Sequence, residues 1–211
     1  FDGFGNLPLV LDNESICENV RGIQMAEGLK PVEHLEGDGR TFTIEMETGT
    51  GKTYTYIKTM YELNKHYGWS KFIVVVPSIA IREGVYKSFQ VTQEHFAEEY
   101  GKKIRFFIYN SAQLTEIDRF ASDSAINVMI INVQAFNKSV DANEKLESGK
   151  RADKNAAIIF RKLDNFRSRR PIDIIAKTNP ILIIDELCVS FSRTPHCAKA
   201  GTTRMCSRFV H

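Results

Sequence analysis

The sequence predicts an α/β fold, a mostly parallel sheet with helices on both faces. Three observations carry this expectation. Five short runs rich in β-branched and other apolar residues recur along the 211-residue chain, and helix-compatible or polar segments separate them. A Gly/Thr-rich turn follows the first run and an acidic pair closes the last, so polar chemistry collects at strand ends, where open α/β sheets take their ligands. With 43% hydrophobic and 26% charged residues, the chain can build one domain with its own core, and a second full domain would barely fit.

The elements follow in order. Residues 1–39 hold scattered apolar positions, with Asn13 or Ser15 as helix caps and Gly28, Gly37 and Gly39 as breakers, and read as a lead-in of one short helix and loops. Arg40 to Met46 alternates β-branched and polar residues and forms a first strand; a helix runs from Lys52 to about His66. Lys71 to Val76 (KFIVVV) is almost continuously apolar and closed by Pro77, the pattern of a parallel strand buried on both faces. A helix from about Ala80 to Glu99 follows. Ile104 to Tyr109, Ile126 to Val133 and Ile181 to Asp185 supply three more strands. Between Lys150 and Lys177 there are nine Lys or Arg and three Asp, either a patch facing nucleic acid or a solvated insertion.

Composition excludes several classes. No apolar run approaches the roughly 20 residues that span a bilayer, and the first ten residues lack a signal-peptide pattern. A soluble, cytoplasmic protein with no membrane partner is expected. The net charge of +2 decides nothing about nucleic acid, which depends on local patches. Cys188, His196, Cys197, Cys206 and His211 lack the close spacing of zinc ligands, so a reducing compartment fits the cysteines better than a metal does. All 26 acidic residues lie at or before Glu186, and three of the four cysteines lie after it. Residues 187–211 therefore read as an atypical tail, frameshifted or unstructured, with a natural basic extension as the alternative. The chain opens at Phe1 and is read as a segment of something longer.

The chemistry is concentrated in Glu47-Thr48-Gly49-Thr50-Gly51-Lys52-Thr53. Set between a strand and a helix, this string is a phosphate loop: Gly49 and Gly51 let the backbone curl, so that N–H groups converge on phosphate oxygens at the positive end of the helix. Thr48, Gly49, Thr50, Gly51, Lys52 and Thr53 are expected to bind ATP. Lys52 neutralises the β- and γ-phosphates, and the Thr53 hydroxyl serves Mg²⁺, a hard cation that prefers oxygen. Met46 stands where the general pattern begins with Gly. Asp185 and Glu186 end the strand ILIID: Asp185 is expected to hold Mg²⁺ through water, and Glu186 to orient and deprotonate the attacking water.

METGTGKTYTYIKTM, KFIVVVPSIAIREGV and RPIDIIAKTNPILIIDE resemble the ATPase (Res) subunit of type III restriction enzymes, of the superfamily-two helicase class, over roughly Leu9 to Glu186. The stretch Val76 to Val85 is the most particular to that subunit. The resemblance implies a RecA-like P-loop NTPase domain over 40–186, with Lys52 and Glu186 catalytic. It also implies backbone contacts to double-stranded DNA from Pro77, Ser78 and Arg82, and from Gln134, Phe136 and Asn137, whose other reading is helix capping and packing. A modification (methyltransferase) subunit is the implied partner. After Glu186 the family continues Pro-Gln, whereas this chain reads Leu187-Cys188. The expectation is a motor-domain fragment that binds Mg²⁺ and ATP weakly and neither moves along DNA nor cuts it, because the second motor domain and the nuclease domain are absent. An inactive nucleotide- or DNA-binding module and the motor of another helicase-like ATPase are the alternatives.

Overall fold

The structure is a computed structural model that describes residues 3–35, 39–47, 49–134, 159 and 170–185, together with the backbone of 204–210. Its sheet has six strands: β1 (Thr41–Glu47), β2 (Lys71–Val76), β3 (Arg105–Ile108), β4 (Asn127–Asn132), β5 (Ile181–Asp185) and β6 (Arg204–Val210), ordered β1-β6-β5-β2-β4-β3. The helices are α1 (Asn13–Ala26), α2 (Lys52–Tyr67), α3 (Ile79–Tyr100), α4 (Thr115–Ser122) and α5 (Pro171–Lys177). β2 is parallel to β4 and β5, and β3 to β4. β6 is antiparallel to both β1 and β5, which makes β1 run the same way as β5. All five strands expected from the sequence therefore share one direction, and their carboxyl ends share one edge.

The winding explains the layers. From β1 through β2 to β3 the chain moves toward the β3 edge; from β3 through β4 to β5 it turns back. Right-handed crossovers place helices of opposite travel on opposite faces. Accordingly Tyr56, Ile57, Met60 and Tyr61 of α2, with Val85, Phe89 and Phe96 of α3, pack against Phe72, Val74, Val128, Ile130 and Ile183 on one face. Ile117 and Phe120 of α4, with Ile174 and Ile175 of α5, pack against Ile73, Val75, Met129 and Ile131 on the other. Every residue of β2 is buried, the apolar run Phe72 to Val76 as expected and Lys71 at its start as well.

Two expectations need correction. The lead-in helix is capped by Asp12, whose carboxylate accepts from Ser15 N–H at 2.8 Å, rather than by Asn13 or Ser15. Within the tail, residues 204–210 form β6, so an unstructured reading does not hold for them; a strand that pairs on both sides satisfies its backbone groups whatever its composition. The basic stretch over residues 150–158 and 160–169 lies outside the described residues.

The lead-in also does more than precede the domain. Phe4 N–H donates to Ala121 O at 2.8 Å and Asn6 N–H to Thr178 O at 2.9 Å, seating residues 4–6 against the amino ends of the strands. The buried Asn6 amide accepts from Ser70 N–H (2.7 Å) and Lys71 N–H (2.9 Å) and donates to Lys71 O (2.8 Å). These bonds open β2 and tie it to β5 through Thr178.

Candidate nucleotide site

The carboxyl edge of the sheet holds the predicted phosphate loop. Gly49 (φ 83°) and Gly51 (φ 92°) sit in left-handed backbone, while a Cβ added at either meets nothing within 4 Å. Conformation, not crowding, selects glycine there. Between them Thr50 closes the turn: its hydroxyl donates to Glu47 O at 2.7 Å and its N–H to the same oxygen at 3.4 Å. Gly51 then begins α2 with no side-chain cap, in contrast with α1, capped by Asp12, and α3, capped by Ser78. The first N–H groups of α2 are left to face an external acceptor at the positive end of the helix.

Lys52 is the first residue of α2, and Asp185 ends β5. The two lie 133 positions apart, yet Lys52 Nζ stands 3.3 Å from Asp185 Oδ1, both side chains being nearly buried. At that distance the charges attract strongly, but neither atom finds a hydrogen-bond partner of proper geometry. The other carboxylate oxygen, Oδ2, accepts from the hydroxyl of Tyr56 at 3.3 Å. Tyr56 lies one turn beyond Lys52, so both groups reach Asp185 from the same face of α2.

The remaining expected residues divide. Thr53 is half-buried in the first turn of α2, beside Lys52. Pro77 and Ser78 follow β2, Gln134 lies just past β4 and is exposed, and Val133 N–H donates to Val76 O at 2.9 Å, joining the two turns at the same edge. Ser78 Oγ accepts from Ile81 N–H at 3.2 Å and so is engaged as the cap of α3. The Arg82 guanidinium lies 2.8 Å from the Glu83 carboxylate. Thr48, Phe136, Asn137 and Glu186 lie outside the described residues.

Two residues at this edge escaped the sequence reading. Tyr56 was legible in principle, since an aromatic four residues after the loop lysine must share its helix face. Asn132, at the end of β4, has its buried Oδ1 without a partner, a fact that depends on neighbours no local pattern reveals.

A parallel sheet wound in both directions, with a Gly/Thr-rich loop and its lysine facing an acidic strand end, is the architecture of a RecA-like domain of helicase type. Within that class the chain belongs to the type III restriction enzyme res subunit family, whose model matches residues 19–187. It is 29% identical to the type III restriction-modification enzyme EcoP15I Res subunit of Escherichia coli over 192 residues, 86% of this chain and 19% of that protein. Identity to the EcoPI Res subunit of Escherichia phage P1 is 29% over 194 residues, covering 86% and 19% of the two chains. The StyLTI Res subunit of Salmonella typhimurium is 32% identical over 167 residues, 71% of this chain and 16% of the relative. The chain thus spans about a fifth of the length of these relatives. Among the described residues no helix is long and apolar enough to cross a membrane.

Proposed function

We propose that this chain is the nucleotide-binding motor domain of a restriction subunit, in which ATP hydrolysis is coupled to movement along double-stranded DNA and, in the whole protein, to its cleavage. The observation that carries the nucleotide reading is the pair formed by Lys52 Nζ and Asp185 Oδ1. A buried ammonium and a buried carboxylate oxygen stand 3.3 Å apart, each short of a hydrogen bond, beside a helix start that no side chain caps. The two groups meet each other only as an ion pair, and buried charges without hydrogen bonds are costly; a triphosphate with its cation would supply the bonds that both lack.

In this reading Lys52 turns from Asp185 toward the β- and γ-phosphates, and the N–H groups of Gly51, Lys52 and Thr53 receive phosphate oxygens. The Thr53 hydroxyl and Asp185 would hold Mg²⁺, which would supply positive charge against the phosphates. Glu186 takes the proton of the attacking water. Pro77, Ser78, Arg82 and Gln134, with Phe136 and Asn137 by resemblance alone, would contact the DNA backbone, and such contacts position the duplex without reading its sequence. The relatives are subunits of restriction-modification enzymes, which supports double-stranded DNA as the track, a modification subunit as the partner and the cytoplasm as the location.

The test is DNA-stimulated phosphate release by the full-length subunit. Lys52→Ala is expected to lower turnover at least about 10²-fold, the scale of losing one preorganised electrostatic contact to a transition state. Undiminished release would overturn the assignment.

A further inference from the structure

We infer that Tyr56 is a positioning residue for the cation-bearing carboxylate of the nucleotide site, acting through Asp185 Oδ2. The inference rests on the nucleotide reading proposed above. Tyr56 is almost wholly buried and packs in the core between α2 and the sheet, where a phenylalanine ring would fill the same space. Its hydroxyl adds nothing to that packing and needs a partner once buried. It donates to Asp185 Oδ2 across 129 positions of sequence, at 3.3 Å.

The carboxylate is thus gripped from one helix at both oxygens. Lys52 approaches Oδ1 and Tyr56 holds Oδ2, from successive turns of α2. The two grips differ in what a nucleotide does to them. Phosphate competes for the ammonium of Lys52 and draws it from Oδ1. The phenol four residues further along the helix is buried and carries no charge for a phosphate to draw, so its bond is expected to persist. Tyr56 then keeps Asp185 from following Lys52 or swinging toward solvent, and leaves Oδ1 aimed at the place Lys52 has vacated. That Oδ1 meets Lys52 only as an ion pair, without a hydrogen bond of proper geometry, fits that division, one oxygen kept for the fold and one for the ligand.

The experiment is a Mg²⁺ titration of binding of a fluorescent, non-hydrolysable ATP analogue by this chain, as wild type, Tyr56→Phe and Asp185→Asn, with a parallel titration of the analogue in EDTA. Tyr56→Phe is expected to raise the Mg²⁺ concentration for half-maximal binding about tenfold, the scale of one hydrogen bond to a charged group. Its affinity in EDTA should stay within about twofold of wild type, because Lys52 and the loop are untouched. Equal losses with and without Mg²⁺ would make Tyr56 a packing residue and overturn the inference, as would an unchanged Mg²⁺ requirement. If Asp185→Asn also leaves the Mg²⁺ requirement unchanged, Asp185 does not bear the cation and the role of Tyr56 fails with it; the nucleotide reading fails separately, if the analogue does not bind wild type at all.

Discussion

The two ends of the sheet treat buried polar groups in opposite ways. At the amino end Asn6, Ser70, Lys71, Asn127 and Thr178 are all buried, and none of them is among the described residues with a buried side-chain atom lacking a hydrogen-bond partner. Asn6 makes three side-chain bonds, Asn127 N–H donates to Ser70 O at 2.7 Å, and the Thr178 hydroxyl donates to Ile175 O at 2.7 Å. Lys71 Nζ donates to Asp123 O and lies 5.4 Å from the centre of the Phe120 ring. At the carboxyl end the matching stops. Among the described residues the buried side-chain atoms without a hydrogen-bond partner are Lys52 Nζ, Tyr109 Oη, Asn132 Oδ1 and Asp185 Oδ1, and each follows or ends a strand at that edge. The amino end completes its own bonds, as an end that holds the fold together does; the carboxyl end leaves these four atoms open, which is what the proposed nucleotide would use.

That contrast can be broken first at the amino end. Asn6→Ala removes three hydrogen bonds to the start of β2, two of them from the N–H groups of the buried Ser70 and Lys71, and is expected to destabilise the chain by about 3 kcal/mol. Chemical denaturation measures it; a loss below about 1 kcal/mol would mean that residues 4–6 merely lie against the sheet.

Lys71 gives a second probe through pH. Burial pulls its ammonium down to about 8, against the opposing charge of Asp123, which Arg105 also faces at 2.7 Å. In the unfolded chain the group titrates near 10.4. Between these values the unfolded state binds more protons, so stability rises with pH, by at most about 1.4 kcal/mol per unit. Below pH 8 both states are charged and the penalty of burial is full. Unfolding of wild type and Lys71→Met at pH 7.5, 8.5 and 9.5 should show this rise only in wild type; parallel curves would exclude it. Above about pH 10 the trend reverses. Burial raises the phenols of Tyr61 and Tyr109, the latter to about 12, so the folded state then holds protons that the unfolded state has lost.

The smallest effect on stability is expected at the carboxyl end. Lys52→Met combined with Asp185→Asn removes both members of an incompletely bonded ion pair, and should change stability by less than about 1 kcal/mol, in either direction. A loss above about 3 kcal/mol would show that the pair serves the fold, and would erase the difference between the two ends.

Much of this architecture was legible because it depends on short-range pattern. KFIVVV reads as a parallel strand buried on both faces and ILIID as a further short strand, and both appear with the expected bounds. The glycines of the phosphate loop carry their reason in φ, which the string TGTGKT already implies. What stayed hidden depends on contacts between distant residues. Asn6 reads as one polar residue in a loop until Ser70 and Lys71 are set beside it. Tyr56 reads as core until its hydroxyl meets a carboxylate from the far end of the chain. The pairing of 204–210 was unreadable for another reason: edge exposure of β1 and β5, not the composition of the tail, is what admits a strand between them.

The central claim is that the carboxyl end is left open for a nucleotide. Its most direct test is the affinity of the fluorescent, non-hydrolysable ATP analogue, in saturating Mg²⁺, for wild type and Lys52→Ala. The account predicts measurable binding to wild type and a loss of about 100-fold in the variant, with the fold intact by circular dichroism. Equal affinity for the two chains would contradict it.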